Sequence, residues 1–167
     1  MNRRTLRVAA IVLMGCSTWV QGQNAQVSDL IVQLKDRDAG ARARAAISLS
    51  ALGAKAKPAV PALTTALSDN NLNVRYCAGN ALKSVGPDAK SAVPALIAAL
   101  KTFPGGSPEL EGPARYYPDV RSIAAEALGA IGPAASAAIP ALKEATADKS
   151  ADVREAAADA IKKIGTK

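Results

Sequence analysis

The side chains that do most protein chemistry are scarce in this sequence. None of its 167 residues is a histidine, which removes the commonest general base and the commonest zinc ligand. Ser-His and Cys-His nucleophiles and His-metal centres are excluded together, and no catalytic residue, cofactor or metal site is expected. Of the two cysteines, Cys16 and Cys77, only Cys77 lies in the body of the chain. A reactive thiol wants a base or an electropositive setting. Arg75 and Lys83 are near it in sequence, yet a small hydrophobe on a packed helix is the simpler reading. Glu109 and Glu111 suggest an acid pair, but Pro and Gly surround them, and general acid-base work needs rigid positioning. What remains is a charge pattern. Arg42, Arg75, Arg121 and Arg154 each have an aspartate nearby, at Asp36, Asp69, Asp119 and Asp152. Such a ladder either grips an acidic partner or ties the fold together.

The spacing of the ladder reveals the elements that carry it. A glycine follows each arginine by eleven residues, at Gly53, Gly86, Gly132 and Gly165, and successive arginines are 33, 46 and 33 residues apart. The chain is therefore an internal repeat with a period of 33 and one insertion of 13 residues. Three positions after each arginine stand Ala45, Ala78, Ala124 and Ala157; seven after, Leu49, Leu82, Leu128 and Ile161; ten after, Leu52, Val85, Ile131 and Ile164. Those offsets line one face of an α-helix. The glycine sits where a helix C-cap belongs, with Pro87 and Pro133 behind two of them to stop the helix. A preceding helix is marked by leucines four apart, Leu30 with Leu34, Leu63 with Leu67 and Leu96 with Leu100, and by Pro61, Pro94 and Pro140 near its start, where a missing N–H is tolerated. The predicted helices form four antiparallel pairs: 26–35 with 39–52, 58–68 with 71–85, 90–101 with 118–131, and 136–147 with 151–164.

Composition agrees. Hydrophobic residues make up 49% of the chain, but 38 of them are alanine and only 3% of all residues are aromatic. Alanine favours helices that approach closely, and the β-branched and aromatic residues of sandwiches and barrels are too few for an all-β fold. A lone helix pair cannot bury its apolar stripe, so the pairs must stack into one continuous core. The predicted fold is all-α, a right-handed α-solenoid of four helical pairs. The segments YPDVRSIAAEALGAIGP and SADVREAAADAIKKIG resemble HEAT repeats, in particular the short bacterial type also found in phycobilisome lyase-like proteins. The resemblance covers about residues 26–165. It implies that the aspartates cap the second helix of a pair or bond an arginine of the adjacent repeat, and that the second helices line a concave surface. It also implies a protein-interaction scaffold rather than an enzyme. The alternative it offers is a cofactor-attachment or lyase-like helper, which would need a bound tetrapyrrole. HEAT-repeat metal hydroxylases are excluded, because their His-Glu ligand motifs have no counterpart here.

The N-terminus reads as an export signal. Arg3, Arg4 and Arg7 precede an apolar run from Val8 to Met14, with no acid before Asp29, which is a basic region followed by a short hydrophobic one. The run is well short of the roughly 18–20 residues a membrane-spanning helix needs. Two cleavage points fit. Val20-Gln21-Gly22 before Gln23 gives a signal of 1–22 and a soluble mature chain over 23–167. Leu13-Met14-Gly15-Cys16 resembles a bacterial lipobox and gives a signal of 1–15, with Cys16 lipidated; Ser17 after it implies the outer membrane. Either way a periplasmic or cell-envelope location is expected, with membrane contact only through a lipid on Cys16. The formal charge of +7 falls to +4 once the three leading arginines are removed.

The insertion, about 101–118, reads KTFPGGSPELEGPARYYP and holds three of the five aromatic residues, Phe103, Tyr116 and Tyr117. Long loops inside compact arrays are usually functional or disordered, and Tyr and Arg are favoured interface anchors. Phe103, Arg115, Tyr116 and Tyr117 are therefore candidate partner-binding residues, together with Tyr76 and Asn80 on the concave face. Other positions expected to be exposed on that face are Arg44, Cys77, Lys83, Glu126, Glu155, Asp159 and Lys162. Their mixed signs exclude a nucleic-acid groove, which would cluster Lys and Arg. The expected partner is a protein.

Overall fold

The computed structural model describes residues 26–102 and 119–165. These residues form eight α-helices: α1 (26–33), α2 (Ala39–Leu52), α3 (Val60–Ala66), α4 (Leu72–Val85), α5 (Val93–Thr102), α6 (Val120–Ile131), α7 (Ile139–Ala145) and α8 (Ala151–Gly165). The chain is all-α, with the predicted four pairs, and no strand occurs among the described residues. The second helices α2, α4, α6 and α8 pack side by side in chain order and make one layer, while α3, α5 and α7 lie against them as the other.

The core lies between the layers and repeats as the arginine register requires. Ala45, Ala78, Ala124 and Ala157 are all fully buried, as are Leu49, Leu82 and Leu128 on the second helices and Leu63, Leu96 and Leu142 on the first. Ile161, the fourth member of the leucine series, is only half-buried. Small residues set how closely the layer packs. A Cβ on Gly79 of α4 would lie 2.9 Å from Ile123 Cγ2 of α6, and one on Gly129 of α6 would lie 3.0 Å from the Cα of Ala160 in α8.

Two local features differ from the sequence expectation. The first helices of repeats two to four begin two to three residues later than predicted, because a 3-10 segment precedes each: Gly53–Ala59, Gly86–Ala92 and Gly132–Ala138. Pro87 and Pro133 open two of these segments, so they start the connection as well as ending the helix before it. The glycine ahead of each segment has positive φ, +57° at Gly53, +69° at Gly86 and +72° at Gly132. Gly165, at the equivalent register position, is the last residue of α8 and has no positive φ. At the other end of the insertion, Lys101 and Thr102 still belong to α5.

Gly132 isolates the conformational term, since nothing lies within 4 Å of the space a Cβ would fill. Gly132→Ala should therefore cost about 1–3 kcal/mol through backbone strain alone. Chemical denaturation of the two proteins measures it, and an unchanged midpoint would refute a conformational role for this glycine.

Candidate functional site

The arginine ladder is built into the turns between helices. Arg42 Nε and NH2 donate to the two carboxylate oxygens of Asp69 at 2.7 and 2.8 Å, and its NH1 donates to the carbonyls of Asp36 at 2.8 Å and Arg37 at 3.2 Å. Arg75 repeats the carbonyl bonds to Asp69 at 2.7 Å and Asn70 at 3.4 Å, and Arg154 repeats them to Asp148 at 2.8 Å and Lys149 at 2.9 Å. Each guanidinium thus ties its own helix to carbonyls that no helix satisfies. Arg42 also reaches the next repeat, since a bidentate arginine-carboxylate pair fixes position as well as charge.

The two expected aspartate roles are divided: Asp69 bonds Arg42 of the adjacent repeat, and Asp119 is a cap. Asp119 caps α6, accepting from the Arg121 N–H at 2.9 Å. The caps of α2 and α4 are Asp38 and Asn71, which sequence reasoning passed over. Asp36 and Asp69 stand two residues earlier and accept from the N–H of the capping residue, each at 2.8 Å. Asp148 does the same for Ser150 at 2.8 Å, whereas Asp152 is an exposed residue of the first turn of α8. Arg121 is the most enclosed member, 2% exposed. It is gripped by Asp119 of its own repeat and by Asp148 of the next, with closest contacts of 2.5 Å to each.

Electrostatics follow from these bonds. Burial alone would raise the pKa of Asp69, but the hydrogen bonds from Arg42 and from the Asn71 N–H hold it below the usual carboxylate value. The same pairing raises Arg42, and the bond to Asp119 raises Arg121. The Cys77 thiol is pushed up by burial; it points its S–H at Asn73 Oδ1, 3.4 Å away. Cys77 is therefore a buried packing residue, as the small-hydrophobe reading expects, and not the exposed position its place on the second helix also suggested.

The second-helix face carries two grooves. One, about 570 Å³, lies between α2 and α4 and is lined by Ile47, Ser50, Ala51, Asn73, Tyr76, Cys77 and Asn80. The structure thus brings the predicted Tyr76 and Asn80 together and adds Ile47, which is 55% exposed despite its apolar side chain. The other groove, about 490 Å³, lies between α6 and α8 and includes Glu126, Asp152, Glu155 and Asp159. Lys83 of α4 bridges to Glu126 of α6 at 2.5 Å. Arg44, Lys83, Glu155, Asp159 and Lys162 are exposed as predicted, and Glu126 is half-buried. Among the described residues no group of His, Cys, Asp and Glu is placed to hold a metal ion. Phe103, Arg115, Tyr116 and Tyr117 of the insertion, and Cys16 with the rest of the predicted signal, lie outside the described residues.

A solenoid of paired helices tied by an arginine-aspartate ladder is a repeat scaffold, and comparison with known proteins places it. The profile of HEAT repeats matches residues 5–105 and 114–167, and the chain belongs to that family. The gap in the match falls inside the insertion, and its start falls inside the segment read as a signal. The complex of CpcE and CpcF of phycocyanin lyase from a Nostoc species is similar in structure, with a TM-score of 0.71 and 28% identity over 100% of this chain. The chain spans 62% of the length of that relative. Two engineered proteins share the fold, with TM-scores of 0.65 and 0.63, identities of 22% and 20%, and coverage of 83% and 84% of this chain and 62% and 38% of theirs. No curated protein matches the sequence.

Two outcomes follow from the ladder. Arg121→Ala leaves two carboxylates facing each other in a protected site and should cost about 3 kcal/mol, lowering Tm by about 6–12 °C. Arg154→Ala, which breaks only exposed carbonyl bonds, should lower it far less; equal losses would contradict the special place of Arg121. Because Asp69 is depressed in the folded state, its pairing stabilises above the ordinary carboxylate pKa and is lost as pH falls through the lowered value. Urea unfolding at a series of pH values should show the wild type losing stability more steeply than Asp69→Asn below about pH 4.

Proposed function

We propose that the chain is an exported, non-enzymatic protein-interaction module that presents its second-helix face and the 101–118 insertion to a partner protein. The observation that carries this reading is the groove between α2 and α4, where an exposed Ile47 stands beside Tyr76 and Asn80. An apolar side chain and a tyrosine beside polar amides in one concavity match the make-up of binding sites, and tyrosine is a common interface anchor. HEAT repeats serve as interaction scaffolds, which supports the same function. The basic and then apolar N-terminus supports export, with Cys16 or Gln23 as the first mature residue and the cell envelope as the location.

The likeness to the phycocyanin lyase complex favours one second reading, a cofactor-attachment or lyase-like helper. It requires a tetrapyrrole on the second-helix face, and a visible chromophore on the purified protein would support it.

Affinity capture from envelope and periplasmic fractions tests the first reading. The full chain should retain a partner, while deletion of residues 104–113 or the substitution of the exposed Ile47→Ser should reduce capture at unchanged Tm. Equal capture by both variants overturns the assignment of this surface. Mass spectrometry of the captured bait should find Cys16 lipidated or Gln23 at its start, and an intact Met1 overturns export.

A further inference from the structure

The two grooves of the second-helix face are the same site built twice. Counted from the ladder arginines, Ile47 and Glu126 occupy one register position, and Asn73 and Asp152 another. Tyr76 corresponds to Glu155, and Asn80 to Asp159. One backbone geometry therefore presents a neutral, partly apolar lining at one end of the solenoid and four carboxylates at the other. The junction between them is intermediate, since Ser122 is buried and Glu126 is neutralised by Lys83.

The acidic end is only partly self-neutralised, with Lys83 on Glu126 and Lys162 on Asp159. Its groove holds four carboxylates against two ammonium groups, Lys83 and Lys163, on a chain whose net charge is +7. Asp159 pairs with Lys162 at 3.2 Å, whereas none of the ion pairs among the described residues engages Asp152 or Glu155. The carboxylates are not gathered for a metal; they are strung along two helices, as several separate cations would require. Phosphate-bearing ligands are repelled by the same row.

We propose that this face is a polarised peptide track. An extended polypeptide segment seats an apolar or aromatic residue against Ile47 and Tyr76, and carries its Lys or Arg residues over Asp152, Glu155 and Asp159. This rests on the interaction-module reading and gives it a partner chemistry and a direction. An extended segment fits because Asn73 and Asn80 stand beside the apolar seat: Asn73 Oδ1 already accepts from Cys77 and Asn80 Nδ2 donates to the Tyr76 carbonyl, which leaves Asn73 Nδ2 and Asn80 Oδ1 to pair with the C=O and N–H groups of an extended backbone. Neighbouring packed helices are about 8–10 Å apart, so the two grooves, two helices apart, are about 16–20 Å apart. That distance is spanned by about five or six extended residues.

The test uses the full chain and fluorescein-labelled synthetic peptides of about 12 residues. One peptide carries a Trp-Leu end and three arginines about six residues further on; a control replaces the arginines with glutamates. Anisotropy titration should give a Kd for the basic peptide at least about tenfold tighter than for the control, weakening as salt rises. The variant Glu155→Gln with Asp159→Asn changes only exposed side chains, so it should fold as the wild type does. It should bind about tenfold more weakly and flatten the salt dependence. Ile47→Ser should weaken binding at every salt concentration and keep the slope. Equal binding of both peptides, no binding below about 1 mM, or an unaltered carboxylate variant overturns the proposal. A natural partner captured equally by wild type and carboxylate variant removes the track and leaves the interaction module standing; failure of both capture and peptide binding removes both.

Discussion

The separation between neighbouring second helices governs this molecule. At Gly79 and Gly129 the helices approach until a single added carbon would strike the next repeat. Only small residues can occupy such contacts: Gly79 stands four residues after its arginine, where Ala46, Ala125 and Ala158 recur, whereas Gly129 stands eight after, where Ser50, Lys83 and Lys162 occur and the close contact is particular to the last junction. The alanine content, the scarcity of aromatics and the placement of large side chains follow from that one constraint. Leucines are confined to the space between the layers, where Leu49, Leu82 and Leu128 face Leu63, Leu96 and Leu142. An aromatic ring in the layer itself would force helices apart and break the register for every repeat beyond it.

The polar counterpart is the ladder, which fixes the turns as the small residues fix the helices. Asp69 accepts from Arg42 of the preceding repeat and from the Asn71 N–H of its own turn, so one carboxylate couples two repeats. Across the junction between the second and third repeats the second-helix face adds an ion pair, from Lys83 to Glu126, and the close contact of Gly79 with Ile123. Exposed pairs of this kind are individually weak.

Periodicity made the pairing of helices and the buried positions legible before any coordinates, because core spacing in a repeat is enforced many times over. The 3-10 segments were not legible: GAKAKPA and GPDAKSA carry turn signals, and the same residues suit a loose loop or a tight helical connection. The capping residues were misplaced for a related reason. Asp36 and Asp69 stand out by charge, but Asp38 and Asn71 hold the position whose side chain reaches the free N–H groups. Register places Tyr76 and Asn80 on the groove-lining face, but both are half-buried there and not exposed as expected. Ile47 was missed because an apolar residue on an amphipathic helix is assigned to the core by default, and only coordinates show it facing outward. Cys77 reads in sequence both as a small hydrophobe on a packed helix and as an exposed position of the face, and it is buried as the first reading has it.

Fold and recognition are separable in this architecture because they use different register positions. The positions three, four and seven after each arginine are committed to packing, and an altered side chain there shifts a neighbour. The positions one and five after it are less committed: Ala43 and Ser122 are buried and Tyr76 packs partly against the core, whereas Ile47, Glu155 and Asp159 are exposed. At the two grooves Glu155 stands where Tyr76 does and Asp159 where Asn80 does, on equivalent helices, so the chemistry of the face changes along its length. The gradient from an apolar end to an acidic end needs no stabilising role to explain it, since the two sets of side chains support equivalent helices. Its cause has to be sought in whatever lies along the face.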